Sequence, residues 1–300
     1  MAEQEKAWRV QYRANRYLEH EPILKVLDHA MDITKNACSI DRSGKYSLRS
    51  DGRWVEMFAH VSEEFRFRKI VLPAPDLPRY VRTARAAELW DKLILPTGSY
   101  LLKFGRKQHI ADMIEKGVFR IAPAESYDDP SLNLAIADRE CEFIEETVGG
   151  SVQFPPNRDY SLPREQWISA PILGTLKQVR TYTGRAYIAC FGMQYEYRLF
   201  EDFGYDACAV IRDPSRFLRA FQTAGEKLFP GWQFAYGPVV YRDPFHPIKE
   251  DDVLYSKHFK YAYQCEFRVT WEYDPSLVGP LSPVFLELGS QSDYCDFLDL

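Results

Sequence analysis

The chain of 300 residues carries few of the signals that announce a function outright. Its six cysteines (Cys38, Cys141, Cys190, Cys208, Cys265 and Cys295) are scattered and include no Cys-x-x-Cys pair. That pattern argues against a disulfide framework and fits reduced thiols in a cytosolic protein. The six histidines are equally dispersed, and no His-Glu-x-x-His occurs. No metal site is expected, and a zinc enzyme least of all. The opening residues, Met1 to Val10, lack the apolar run of a signal peptide. Nowhere do about 18 consecutive apolar residues occur, so no membrane partner is expected and the expected location is the cytoplasm. Repeats and low-complexity tracts are also missing.

Strong charge of one sign is another absence. Acidic residues number 43 and Lys plus Arg 38, a net charge of -5. This argues against bulk binding to duplex DNA, which usually needs a strongly basic face. Arg66, Arg68, Lys69, Arg79, Arg82 and Arg85 lie close in sequence and read as a solvated face. What the chain does have is apolar and aromatic content, 46% and 15%, with 19 Tyr and 19 Phe. A folded chain with strands and aromatic-lined clefts follows from that composition.

Apolar residues recur at helical spacing from Ala7 to about Ala37, with a break at Pro22. A second amphipathic stretch covers Trp54 to Arg66, and another runs from about Tyr80 to Leu93. Pro96, Thr97 and Gly98 mark a boundary. Residues 1–97 therefore read as a mainly helical N-terminal domain. Residues 98–300 read as an α+β domain with a mixed or antiparallel sheet. Its expected strands are Tyr100 to Phe104, Val118 to Ala122, Arg185 to Phe191, Ala207 to Ile211, Pro238 to Tyr241 and Phe259 to Tyr273. Expected helices cover His109 to Lys116 (ended by Gly117), Leu134 to Thr147 and Pro214 to Leu228, the last capped by Asp213. The segment Gly149 to Pro156 reads as a loop, and the acidic tail from Gln291 to Leu300 as a frayed end.

The most specific local pattern is Phe259 to Trp271. Read as one strand, it puts Phe259, Tyr261, Tyr263, Cys265, Phe267, Val269 and Trp271 on one face. Gln264, Glu266 and Arg268 then stand in a row on the other, about 6–7 Å apart. Two readings fit. The row is either the wet face of an antiparallel sheet or the wall of a cleft. In a cleft, a carboxylate behind a Gln suits glycosyl transfer, where it stabilises an oxocarbenium-like centre. Two further segments bear on this. Lys103, Gly105 and Arg106 lie where a strand gives way to a loop, and their cations would suit a pyrophosphate. Ser126, Tyr127, Asp129 and Pro130 form a turn whose Tyr127 would stack on a base or a nicotinamide ring.

In this order, Leu102-Lys-Phe-Gly-Arg, Ser126-Tyr-Asp-Asp-Pro130, Cys190-Phe191 and Tyr263-Gln-Cys-Glu-Phe-Arg268 resemble the motifs of a widespread, largely uncharacterised bacterial family. That family opens on Tyr-Lys-Tyr or Tyr-Lys-Phe, continues to Ser-Phe-Asn-Asp-Pro and ends on Tyr-x-x-Glu-x-Arg. The arrangement of residues 99–275 also resembles the ADP-ribosyltransferase fold, in which a split sheet clamps NAD and a late strand carries the catalytic Glu.

The resemblance implies Glu266 as the catalytic carboxylate and Gln264 as the residue that directs the acceptor. Lys103, Phe104, Gly105, Arg106, Ser126, Tyr127 and Arg268 would hold NAD, which is substrate rather than resident cofactor. The acceptor would be a nucleic acid or a protein. A bacterial toxin or phage-defence effector of this kind would have a neutralising partner protein. The alternative is a non-catalytic module that uses the same cleft to bind a nucleotide, a nucleic acid or a partner.

Overall fold

A computed structural model describes residues 2–40, 46–49, 52–72, 99–129, 131–132, 140–148, 151–158, 161–171, 175–243, 245, 252–273 and 279–300. The fold is α+β, with a mainly antiparallel sheet.

Among residues 2–72 the helices are α1 (Ala2–Ala14), α2 (Ile23–Ala37) and α3 (Gly52–Phe67). A short hairpin of β1 (Cys38–Ile40) and β2 (Tyr46–Leu48) stands between α2 and α3. The expected break at Pro22 is present, directly before α2. Helix α2 buries Val26, Ala30, Ile33 and Ala37, the stripe that spacings of three and four dictate. That stripe meets Tyr12 of α1 and Trp54, Met57, Val61 and Phe65 of α3 in one apolar cluster. Of the residues read from sequence as a solvated face, Arg66 and Lys69 are exposed, while Arg68 is half-buried; Arg66 and Arg68 form ion pairs with Glu63 and Glu64, whose side chains are buried. The expected helix at 80–93, with Arg79, Arg82 and Arg85, lies outside the described residues.

Eight described strands form the main sheet. They are β3 (Leu101–Gly105), β4 (Val118–Pro123), β9 (Arg185–Gly192), β10 (Ala207–Ile211), β11 (Gln233–Pro238), β14 (Glu266–Tyr273), β15 (Val284–Glu287) and β16 (Cys295–Asp299). One edge of β9 pairs along its length with β14. The other edge is shared. Strand β3 meets it at Leu102↔Gly192, and β4 meets it at Ala122↔Ile188 and Pro123↔Tyr187. Neither pairs with Ala189, Cys190 or Phe191 in the ladder, so the sheet opens there.

Helix α4 (Lys107–Glu115) spans from β3 to β4 and ends before Gly117, whose φ of 70° suits glycine. On one face the sheet packs against α4 and against α6 (Pro214–Leu228), through Phe119, Phe191, Phe217, Phe221, Val269 and Trp271. As expected, Asp213 caps α6, accepting from Arg216 N at 2.9 Å, with Pro214 in the first turn. Gly225 lets α6 lie on the sheet, since a Cβ there would come within 2.2 Å of Trp271.

Several expectations are corrected. Residues 259–273 are not one strand: Phe259–Gln264 is a 3-10 turn, Cys265 is left-handed at φ 43°, and β14 begins only at Glu266. Aromatics at every second residue imitate a strand, but here they wedge a turn between α2 and the sheet. The expected helix from Leu134 to Thr147 ends in β5 (Glu142–Val148), which pairs with β8 (Thr175–Thr181). Residues 134–139 of it lie outside the described set. Thr147 and Val148, β-branched, suit the strand. Within the expected loop at 149–156, Ser151–Phe154 forms β6, paired with β7 (Ile168–Pro171). The strand expected at Pro238 to Tyr241 is replaced by β11, which ends at Pro238, and by β12 (Val240–Arg242). The C-terminal tail is not frayed, because β16 pairs along all of β10.

Candidate functional site

The second face of the sheet, where β3 and β4 part from β9, holds a pocket of about 110 Å³. Register places its walls. Leu102, Gly192 and Glu266 stand side by side on β3, β9 and β14. Directly opposed residues of antiparallel strands share a face, so Gly192 leaves open the space between the side chains of Leu102 and Glu266. Lys103, Phe104, Tyr127, Cys190, Gln264 and Glu266 all line this pocket.

Glu266 is buried and ionised. Its Oε1 accepts from Arg268 Nε at 2.6 Å and its Oε2 from Lys257 Nζ at 3.1 Å. Burial opposes the charge, but the Arg268 and Lys257 cations outweigh it, holding the carboxyl well below the usual range. Arg268, fully buried behind Glu266, also forms an ion pair with Glu140 at 2.5 Å and donates to Leu254 O. Lys257 lies 3.7 Å from the same Glu140. Two carboxylates and two cations thus form one buried network. The wet-face reading of Gln264, Glu266 and Arg268 is therefore overturned, since all three are buried.

Lys103 stands apart from that network. Its Nζ crosses the opening of the sheet to donate to Cys190 O at 2.9 Å, and it lies 5.5 and 5.4 Å from the ring centres of Phe119 and Phe191. Among the described residues it has no carboxylate partner. Burial lowers its pKa, and Arg120 adds to the effect, against the raising influence of Cys190 and Glu266. Tyr127 comes from the 3-10 turn Ala124–Asp128 that follows β4, and burial raises the pKa of its hydroxyl. Tyr205, which completes the wall with Phe203 and Leu199 of the short helix α5 (Arg198–Phe203), is raised in the same way.

The sequence-predicted residues divide cleanly. Lys103, Phe104, Tyr127, Gln264 and Glu266 converge on the pocket, and Arg268 supports it from behind. Gln264 stands on the turn before β14, not in a strand row with Glu266 and Arg268. Gly105, Arg106 and Ser126 are not in the pocket. Gly105 makes room for Ile110, whose side chain would be 2.9 Å from a Cβ there. Arg106 is exposed at the start of α4, and the Ser126 hydroxyl donates to Pro123 O at 2.7 Å.

Glu140 and Lys257 were missed as site residues. Glu140 precedes β5, and Lys257 lies on β13 (Ser256–His258), which runs parallel to β12. Neither belongs to a motif. A lone Lys nine residues before Glu266 carries no signal until the turn folds it back.

A carboxylate fixed in its charged form, with a buried amide beside it and an ammonium across the gap, can stabilise positive charge on a bound sugar and fix hydroxyl or phosphate groups. It cannot serve as a general acid near neutral pH. Among the described residues, no helix is long and apolar enough to cross a membrane. No family model, curated protein or solved structure matches the chain.

Proposed function

We propose that this pocket binds the nicotinamide–ribose end of NAD and that the protein is an ADP-ribosyltransferase-like enzyme. The observation that carries the reading is the convergence of Lys103, Tyr127, Gln264 and Glu266 on one pocket, at the place where the sheet splits. In the reaction the bond between C1′ and the nicotinamide nitrogen breaks, and its electron pair leaves with nicotinamide. Glu266 stabilises the electron-poor C1′. A nucleophilic oxygen or nitrogen of a nucleic acid or protein then bonds to C1′ and releases its proton to water. Gln264 orients that acceptor, while Lys103 meets a phosphate and Tyr127 stacks on the pyridine ring. An effector of this class, a bacterial toxin or phage-defence protein in the cytoplasm, would be held in check by a neutralising partner.

A second reading rests on a different observation. Lys257 and Arg268 pair with Glu140 and Glu266, so among the described residues Lys103 is a pocket cation in surplus of those pairs. That surplus suits a binding module for a nucleotide or another phosphate-bearing ligand.

Nicotinamide release from NAD separates the two, measured for wild type, Glu266→Ala and Glu266→Gln with and without cell extract. Release that needs Glu266 and leaves ADP-ribose on a component of the extract supports the transferase. Folded protein that releases none, yet binds NAD or a nucleoside diphosphate through Lys103, supports the module.

A further inference from the structure

The N-terminal helices hold the turn that delivers Gln264 and Glu266. Asn36 lies in the last turn of α2 with no exposed surface. Its Nδ2 donates to Phe259 O at 2.9 Å and to Asp32 O at 2.9 Å, while its Oδ1 accepts from Tyr263 N at 2.7 Å. Two carbonyl oxygens on one side and an N–H on the other fix which way the amide faces. One side chain therefore grips the 3-10 turn Phe259–Gln264 at its first residue and again at Tyr263.

Neighbours add to the grip. Arg49 Nη2 donates to Tyr263 O at 3.3 Å and forms an ion pair with Glu196 at 3.0 Å. Arg198 donates to Lys35 O at 2.8 Å, at the end of α2, and sets its guanidinium 3.6 Å from the centre of the Tyr263 ring.

The turn needs such support. Short 3-10 segments are weakly held by their own hydrogen bonds, and a left-handed Cys265 at φ 43° persists only where its surroundings impose it. Gln264 follows Tyr263 directly, and Glu266 comes two residues later. A shift of Tyr263 therefore moves the residues on the pocket wall.

We propose that Asn36 is a positioning residue for Gln264 and Glu266, and that through it the N-terminal helices act as a control element of the pocket. The catalytic part of this statement rests on the NAD-cleaving reading above. Loss of the amide leaves a buried carbonyl and a buried N–H without partners, and the turn relaxes toward conformations that satisfy them. Geometry at the site then suffers more than its capacity to hold a ligand.

The test compares full-length wild type with Asn36→Ala and Arg49→Ala by backbone hydrogen exchange and by the kinetics of nicotinamide release. In Asn36→Ala, amides of residues 259–266 are expected to exchange at least about tenfold faster, while α6 and β10 keep their protection. The kcat falls roughly tenfold to a hundredfold with little change in KM, as expected for displaced catalytic groups rather than a lost binding contact. Arg49 is partly exposed, so Arg49→Ala carries the same comparison, with a smaller change, should Asn36→Ala fail to fold. Unchanged exchange at 259–266, or faster exchange with kcat intact, overturns the proposal. If wild type releases no nicotinamide, the NAD reading falls, while the exchange comparison still decides whether Asn36 holds the turn.

Discussion

Lys103 Nζ donates to Cys190 O at 2.9 Å, across the opening where β3 leaves β9. An ammonium stands where a backbone N–H of a continuous ladder would otherwise meet that carbonyl. It has three donors and, among the described residues, one acceptor. Lys103→Met keeps an unbranched side chain beside Phe119 and Phe191 and removes the buried ammonium. Equal or greater stability at pH 7 is expected, with NAD binding weakened at least tenfold, on the order of 1.4 kcal/mol. The pH dependence has a definite sign. A lysine with a folded pKa below its unfolded one makes the native state the weaker proton binder. Wild-type stability therefore gains as pH rises toward about 10.4, and the Met variant lacks that gain. Urea titrations at pH 7 and pH 9.5, with calorimetric titration of NAD, read all three outcomes.

Arg268 is the hinge of the buried network. It touches both Glu266 and Glu140, and Lys257 is a second cation that the two carboxylates share. Arg268→Met removes the buried cation that pairs with both carboxylates, at an expected cost of about 3–5 kcal/mol. Adding Glu140→Met removes one of the carboxylates left without Arg268 and should recover part of that loss. The depressed carboxyl of Glu266 gives the acid side its sign. Its contribution to stability is present above the ordinary Glu range and fades as pH falls through the lowered folded pKa. Glu266→Gln should therefore flatten part of the acid limb of the stability profile. Urea midpoints of the single and double variants between pH 3 and pH 7, with the slopes compared, are the check.

Helices α2, α3 and α6 were legible because each buries one apolar stripe, and the strands at Leu101, Val118, Arg185 and Ala207 because they are short apolar runs, Ala207–Ile211 being buried at every position. Reading failed where tertiary contacts chose the conformation. Residues 259–265 alternate like a strand, yet Asn36 and Arg49 bind their backbone as a turn, from positions far earlier in the chain. Glu266 and Gln264 were legible through the alternating aromatics around them and the resemblance of Tyr263 to Arg268 to a family motif. Glu140 and Lys257 were not, since their partners are fixed only by the folded chain. Gly105 and Arg106 matched a motif by order alone, and the glycine serves the contact with Ile110.

Gly192 is the floor of the pocket between Leu102 and Glu266. A Cβ there would meet Gln194 O and Phe104 Cε2 at 3.6 Å and Leu102 Cβ at 3.7 Å, ordinary contacts without a clash. Gly192→Ala should fold normally and gain up to about 0.5–1 kcal/mol, because glycine loses the most conformational freedom in a strand. Gly192→Val projects two more methyl groups into a pocket of about 110 Å³ and should abolish binding while the fold persists. Circular dichroism melts and NAD titration of both variants distinguish a filled pocket from a damaged sheet. Binding that survives in a folded Gly192→Val would place the ligand elsewhere.

Asp32, on the solvent side of the Asn36 grip, offers a pH test of how α2 is seated. Burial raises its carboxyl to about 6, with Asp28 adding and Lys35 and Lys260 opposing. It lines a second cavity with Lys25, Asp28, His29, Ile144, Phe245, His258 and Phe259. With the folded pKa above the unfolded one, the native state binds the proton more tightly between about pH 4 and pH 6. Stability from this group is therefore full below that window and lost as pH rises through it. Asp32→Asn removes the charged form altogether. It should stabilise the protein at pH 7.5 by on the order of 2 kcal/mol and change little at pH 4. The backbone carbonyl of Asp32, which accepts from Asn36, is untouched, so the turn at 259–264 keeps its exchange protection. A gain at pH 7.5 that persists undiminished at pH 4 would trace the effect to helix propensity rather than to the buried carboxyl.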